Sequence, residues 1–409
     1  MKKKMALWKK IVLGIVSTIL LLIIVLVITV FAVWHNELTS VSSIKLLQEA
    51  NEENKSAPVY QMDIKGNYYF DDFIDKGGAS NDNELINFIV KKITKGIIPI
   101  TINVDPIGCS SFTAKTSDGI RLFGRNYDFS TTTGMIIHTK PTDGRYESYS
   151  SVDLQFLGIK NGVSLDSIMQ KFLCLAAPYA PLDGMNEMGV SCGIYMSYQG
   201  STFNVPTNQN TEKPDITSTT LLRLILDYAA NVEEAINLAM AYDLHDSANT
   251  SFHYMVADKT GASAILEWTN GTQKTDNDGS LRTLKVYRNN SDSSIGENEA
   301  FDEFQYVTNF LVTPGYYEAD DTKRGYDRYT AIRNSINSDS LNTTGVITEE
   351  EALDVLKLVG RRNWDKKNGV SDSNSITVWS VLYDLTNKKI TWVSNEGFGD
   401  SKAVFKFEL

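Results

Sequence analysis

The chain has 409 residues, of which 42% are hydrophobic, 22% charged and 10% aromatic; this is the composition of a folded protein with a large core and excludes a disordered tail. Three cysteines are too few to staple a fold: one pair at most can close, and at least one thiol is left to be explained. The first 34 residues hold five Lys and no acid, leaving 34 basic against 50 acidic residues beyond them, a net of −16 that argues against nucleic acid as a partner.

Residues 11–33 read IVLGIVSTILLLIIVLVITVFAV, 23 residues without a charge. At about 1.5 Å per residue such a helix crosses a hydrocarbon core of roughly 30 Å. The run is longer than the roughly 7–15 apolar residues of a cleavable signal and ends in Ala-Val-Trp-His rather than a small-x-small site. It is read as a transmembrane signal anchor over 11–34, with 1–10 as a cytoplasmic basic tail. Lys2, Lys3, Lys4, Lys9 and Lys10 precede the span and no Lys or Arg follows until Lys45, so the positive-inside bias places the remainder outside the cell. Residues 35–58 are polar, with a weak apolar stripe at Ile44, Leu46 and Leu47, and read as a stalk.

Packing is predicted to begin near Val59. Residues 59–70 predict a strand pair, and Asn81 with Glu84 forms a capping box before the apolar run Leu85, Phe88, Ile89 and Ile93, stopped by Gly96. Residues 107–129 read as strand, Asp-Gly turn, strand. Further β-rich runs lie at 119–128, 189–198, 252–268 and 284–289. Apolar spacing predicts helical pairs at 221–230 with 232–243 and at 301–312 with 326–337, and a further helix at 349–360. A hairpin of 376–384 and 389–394 closes the chain. Polar loops lie at 200–214 and 289–298. There is no internal repeat. The order favours an α+β fold, one domain of about 350 residues with antiparallel sheets layered between helices.

The chemistry centres on Cys109. The Asp-Gly turn folds the second strand back toward it, so Arg125 and Asp128, 16 and 19 positions on, bring a guanidinium and a carboxylate beside the thiol. The cation is expected to lower the thiol pKa. Cysteine catalysis needs a base, and the four histidines are His35, His138, His245 and His253. None convinces: His35 abuts the membrane, His245 lies in a polar loop, and His138 and His253 sit in apolar contexts. If Gly108–Cys109 is broken, the freed α-amine offers a base instead. Against this stands the bland reading of Cys109 as a buried core thiol. Cys174, in a helical apolar run, and Cys192, in a strand, read as core residues or disulfide partners. The cysteines lack the paired spacing of a zinc site; no metal or organic cofactor is implied.

Gly-Cys-Ser-Ser-Phe followed by Asp-Gly-x-x-x-Phe-Gly-Arg-Asn-Tyr-Asp-Phe resembles the opening of the N-terminal-nucleophile (Ntn) linear-amide hydrolases, which include choloylglycine hydrolases, penicillin V acylases, acid ceramidase and N-acylethanolamine acid amidase. Later segments fit in order: Asp183-Gly-Met-Asn-Glu-Met-Gly189, the run from Phe252 to Glu267, Val286-Tyr-Arg-Asn-Asn290, Asp327-Arg-Tyr329, and the run from Trp379 to Asn387. The resemblance implies a four-layer αββα sandwich of Ntn-hydrolase type over 109–409, preceded by a propeptide-like segment at 59–108. It implies Cys109 as nucleophile, its α-amine as base, Asp128 holding that amine and Arg125 beside the thiolate. It also implies Asn289 as oxyanion donor and Arg328 completing the polar ring. Asn186 is either a turn former or an active-site wall.

Two departures bear on activity. Choloylglycine hydrolases carry a second asparagine ten positions after the one matching Asn186, where this chain has Met196; bile-salt turnover is therefore not the expected activity. Their cysteine also follows the initiator Met, whereas 108 residues precede it here, as in the branch with a self-cleaved propeptide. The expectation is a membrane-anchored extracellular hydrolase acting on an N-acyl small molecule after cleavage before Cys109. The alternatives are an acyltransferase or peptide-directed amidase with the same nucleophile, and a non-catalytic surface-tethered binding module. Specificity is expected to lie in loops such as 131–149 and 200–214. Oligomeric state is not legible in the sequence.

Overall fold

The computed structural model describes residues 2–51, 56–93, 95–96, 108–160, 162–200, 204–290, 303–337, 345–369 and 376–409. The helices among them are α1 (Lys2–Val33), α2 (His35–Ser42), α3 (Phe70–Asp75), α4 (Asp82–Lys92), α5 (Ile168–Leu173), α6 (Ser218–Tyr228), α7 (Val232–Ala241), α8 (Tyr326–Ile336), α9 (Glu349–Leu358) and α10 (Arg361–Lys367). The first strands are β1 (Lys45–Gln48), β2 (Val59–Ile64), β3 (Gly108–Lys115), β4 (Arg121–Phe129), β5 (Gly134–Thr139), β6 (Ser148–Asp153), β7 (Asp183–Asn186) and β8 (Val190–Met196). They are followed by β9 (Asp215–Thr217), β10 (Asp243–His245), β11 (Phe252–Asp258), β12 (Ser263–Thr269), β13 (Thr283–Arg288), β14 (Tyr306–Val307), β15 (Ile376–Asp384), β16 (Lys389–Ser394) and β17 (Val404–Glu408).

A nine-stranded sheet runs β1-β2-β5-β6-β7-β8-β11-β12-β13 and a six-stranded sheet β14-β3-β4-β15-β16-β17. Apart from the parallel β2–β5 pair, both sheets are antiparallel. Side chains join them face to face: Tyr127 on β4 donates to Asp153 (2.8 Å), Trp392 on β16 to Ser151 (3.1 Å) and Tyr195 on β8 to Ser111 (2.5 Å). Between them Trp379 stacks on Tyr127 with ring centroids 4.1 Å apart, supplying the large apolar contact a two-sheet interior requires. Helices α6 and α7 lie against the nine-stranded sheet, and α8, α9 and α10 against the six-stranded one.

The β3–β4 hairpin forms as its sequence predicts. Gly119 takes φ +83°, the left-handed conformation a tight turn requires there. The hairpin register pairs Gly108 with Asp128, Cys109 with Tyr127 and Ser111 with Arg125. The predicted helices at 221–230, 232–243, 326–337 and 349–360 and the closing hairpin are all present. Asn81 caps α4 by accepting from the Glu84 amide at 3.0 Å, while the Glu84 carboxylate turns back to the Ser80 amide at 2.9 Å. Acids open α4 and Lys91 and Lys92 close it, matching the helix dipole.

Three expectations are corrected. The stretch read as a stalk is partly built into the body: α2 buries Glu37, Ser40 and Val41, and β1 is the edge strand of the larger sheet. Residues 59–70 hold one strand, β2 over 59–64, followed by a turn into α3, rather than a pair, and the partners of β2 are β1 and β5. The helix expected at 301–312 is extended chain over 303–312, where β14 pairs with Ser111 and Phe112; residues 301–302 lie outside the described residues, as does the expected loop 289–298 from 291 on.

Candidate active site

Side chains alternate across a strand, so Arg125 and Asp128, an odd number apart on β4, emerge on opposite faces. Arg125 enters the space between the sheets together with Cys109, whose cross-strand partner is the inward Tyr127. Its Nη2 lies 3.6 Å from Cys109 Sγ and donates to the Ile194 carbonyl at 2.8 Å, while Nε donates to Asp183 at 2.8 Å. Asp183 is fixed in turn by Trp379 (2.9 Å) and Tyr383 (2.7 Å), and the Tyr195 ring lies 4.5 Å from the guanidinium. Gly193 makes room for this packing: a Cβ there would stand 2.8 Å from Arg125 Nη1 and 2.6 Å from the Tyr195 hydroxyl.

On the other face, the Asp128 carboxylate accepts from Arg328 Nη1 at 2.8 Å and from Thr377 at 2.6 Å. Arg328, near the start of α8, also donates to the Cys109 carbonyl (3.2 Å) and to Asn309 Oδ1 (3.0 Å). That same Asn309 oxygen accepts from the Cys109 amide at 3.2 Å, and Asn309 Nδ2 donates to the Met196 carbonyl at 2.8 Å. Cys109 is thus approached at its sulfur by Arg125, at its nitrogen by Asn309 and at its carbonyl by Arg328.

The thiol itself is 1% exposed. Arg125 does pull its pKa down, but loss of solvent pushes harder and the net result is a thiol raised to about 11. The expected lowering is therefore corrected for the uncut chain. Beside this cluster opens a cavity of about 1040 Å³, lined among others by Gly108, Tyr198, Asn309, Tyr326, Arg328 and Trp364. Arg324 stacks 4.2 Å from the centre of the Tyr198 ring, and the Tyr198 hydroxyl donates to Met196 Sδ at 2.8 Å.

Of the residues singled out in the sequence, Gly108, Cys109, Arg125, Asp128 and Arg328 converge here. Asn289 does not: its amide donates to the carbonyls of Gly261 (2.9 Å) and Glu303 (3.0 Å) and its oxygen accepts from the Ser263 amide (3.0 Å), beyond the end of β13. Asn186 is no cavity wall either; it is fully buried, donating to the Leu226 and Ala229 carbonyls at the end of α6 and accepting from the Met188 and Val190 amides. Sequence reasoning missed Asn309 and Asp183. The former sits in a segment whose apolar spacing imitates a helix, whereas Asp183 stands in the very motif that drew attention to Asn186.

His138 contacts Asp63 and Glu147, His245 contacts Asn208 and Asp215, and His253 contacts Glu267 and the Thr308 carbonyl. Cys109, Cys174 and Cys192 are all free, which corrects the disulfide alternative. Among the described residues no group of three or more His, Cys, Asp or Glu is placed to hold a metal ion.

Buried Cys109, bracketed by Arg125, Arg328, Asp128 and Asn309, is the centre of the cluster. Residues 109–289 match the family of linear amide C-N hydrolases, choloylglycine hydrolase family. The chain is similar to the bile salt hydrolase/transferase of Clostridium perfringens, with 26% identity over 235 residues; the match covers 55% of this chain and 64% of the relative's length. Among solved structures it is similar to a variant of the conjugated bile acid hydrolase of that organism (18% identity, TM-score 0.45, 73% of this chain and 92% of the other). It is also similar to the Caenorhabditis elegans N-acylethanolamine-hydrolyzing acid amidase ortholog (15% identity, TM-score 0.39, 68% and 93%).

Proposed function

We propose that the chain is a membrane-anchored hydrolase of linear C-N amide bonds in N-acyl small molecules, working through Cys109 at the head of a four-layer αββα sandwich. The observation that carries this reading is the placement of the Cys109 sulfur, nitrogen and carbonyl against Arg125, Asn309 and Arg328 beside a large cavity that Gly108 lines. Helix α1 contains a 26-residue candidate span, Trp8–Val33, whose residues 11–33 carry no charge; it serves as the anchor, with the N-terminus cytoplasmic and the remaining chain outside.

Maturation begins with attack of Cys109 Sγ on the Gly108 carbonyl carbon. The Gly108–Cys109 C–N bond breaks, the nitrogen takes up a proton, and a thioester to Gly108 remains. Water then cleaves the thioester, leaving a Gly108 carboxylate, a free thiol and a free α-amine. In turnover that amine, held by Asn309 Oδ1 and near Asp128, accepts the thiol proton as sulfur attacks the substrate amide carbonyl. Arg125 stabilises the thiolate. The oxyanion is met by the Asn309 amide proton not given to the Met196 carbonyl. The substrate amine leaves with the transferred proton, and water resolves the acyl-thioester.

Tyr198, Tyr317, Tyr326 and Trp364 give the cavity an aromatic wall, with Lys323, Arg324 and Arg361 among its cations; the acyl group packs on the aromatic wall. N-terminal sequencing with intact-mass measurement of purified protein tests the reading. A fragment beginning Cys-Ser-Ser-Phe that hydrolyses N-acyl amides supports it, whereas an uncut chain with no amidase activity and no labelling by thiol-directed acylating probes identifies a non-catalytic module.

A further inference from the structure

The anchor does not end in a flexible linker. Helical hydrogen bonding continues from α1 into α2 through Trp34, whose amide donates to the Val30 carbonyl at 2.9 Å and whose carbonyl accepts from Leu38 at 2.8 Å. Helix α2 is in turn bolted to the end of β2: Ser40 Oγ accepts from the Lys65 amide at 2.7 Å and Ser43 Oγ from the Asp63 amide at 2.9 Å. Trp34 itself turns out of the helical region (φ −118°, ψ 25°), so this part of the body is held close to the end of the span. At no more than about 1.5 Å per residue along the span, residues 35–38 lie within roughly 8 Å of Val33, the depth of the headgroup layer that flanks the hydrocarbon core.

At that height a cavity of about 340 Å³ opens beside α2, lined by His35, Thr39, Lys65, His138, Lys140 and Thr142 among others. Its cations are placed by sheet register. Strands β2 and β5 are parallel, with Asp63 opposite His138 and Ile64 opposite Thr139, so the next step sets Lys65 beside Lys140. Lys65 is exposed and makes no ion pair among the described residues. The Lys140 side chain is 70% exposed and paired on one side with Glu147 at 2.5 Å, which leaves donors of its ammonium for another acceptor. Two like charges side by side at the mouth of a cavity, on a chain that is otherwise acidic, are stabilised by an anion.

We propose that this cavity is a binding site for the phosphodiester headgroup of an anionic phospholipid, with Lys65 and Lys140 as its cationic contacts. The assignment rests on the reading of α1 as a membrane span. Each lysine near an anionic bilayer strengthens binding by about fivefold, so removing both weakens it on the order of 30-fold.

The test uses the full chain in nanodiscs of phosphatidylcholine alone or mixed with phosphatidylglycerol, reading the melting midpoint of the outer body and the lipids retained in native mass spectra. The expected result is a midpoint raised by phosphatidylglycerol, phosphatidylglycerol retained by the wild type, and both effects lost in K65Q/K140Q, whose amidase activity in detergent is unchanged. A double variant that keeps the full lipid effect overturns the proposal, as does inorganic phosphate alone reproducing the midpoint shift. Alkaline extraction of native membranes tests the anchor separately: release into the supernatant defeats the span, whereas retention without a lipid effect defeats the headgroup site alone.

Discussion

Replacing Asn309 with Ala should cost the site most of its turnover, whereas the same change at Asn289 should cost mainly stability. Asn309 accepts from the Cys109 amide and from Arg328 and donates to the Met196 carbonyl, at 3.2, 3.0 and 2.8 Å. If its second amide proton meets the oxyanion, losing that donor raises the barrier by about 2.7–4 kcal/mol, a fall in kcat of roughly 10²–10³. Asn289 serves three backbone groups, at Gly261, Glu303 and Ser263. Leaving such groups unsatisfied costs about 1–3 kcal/mol of stability, and kcat stays within a few-fold of wild type. The assay is hydrolysis of N-acyl amides by the purified full chain, run beside denaturant melts. Asn309→Asp, which keeps the acceptor for Arg328 but loses the donor, separates lost chemistry from lost fold. A hundredfold loss of kcat in Asn289→Ala with Asn309→Ala unaffected would refute the assignment.

A Cβ at Gly108 would lie 3.2 Å from Asp128 Cβ and 3.4 Å from its Oδ2; Gly108→Ala should therefore slow maturation several-fold, seen as uncut chain persisting on a gel. Burial holds the uncut Cys109 thiol at about 11, so if its thiolate attacks Gly108, the cleavage rate should rise about tenfold per pH unit from 7 toward 10; a rate that falls as pH rises contradicts this. Cys109→Ala should stay full length and inactive. Cys174→Ala, which removes a buried thiol hydrogen-bonded to the Gln170 carbonyl, should lose stability while retaining amidase activity, as a melt and a turnover assay on the same sample would report.

The part of the site written in local sequence was readable. The Asp-Gly turn and two alternating strands place Arg125 and Asp128 around Cys109 without knowledge of the rest of the chain. Arg328 was found only through resemblance, because its contact with Asp128 spans 200 residues. Asn309 was hidden by its surroundings: Phe304, Val307 and Leu311 recur at helical spacing and all are buried. Their burial arises from extended chain pairing antiparallel with the middle of β3, and a two-residue strand is too short to register as an alternation. The raised thiol pKa was invisible for a related reason, since Arg125 can be read from spacing but the closure of both sheets over Cys109 cannot. The supposed stalk failed because its polar composition says nothing about an edge strand, where one row of side chains faces water.

That last correction changes what cleavage before Cys109 would accomplish. Strand β2 is interior to the nine-stranded sheet, and Val59, Tyr60, Met62, Ile64, Phe70, Phe73, Leu85 and Ile89 are all buried in the common core. Polar contacts add to this, with Tyr68 donating to Asp227 at 2.7 Å and Tyr179 to the Tyr68 carbonyl at 2.7 Å. At about 1.5–3 kcal/mol per buried apolar side chain, those eight residues contribute a gross 12–24 kcal/mol or so, comparable to or above the roughly 4–15 kcal/mol that association costs. A cut at Gly108–Cys109 should thus leave both pieces together: they should co-elute in native gel filtration and separate only in denaturant. Fragment 109–409 emerging alone under native conditions would contradict this account. If the pieces do remain joined, the cut frees the α-amine without release, and Cys109 stays attached to helix α1 through the nine-stranded sheet to which both pieces contribute strands.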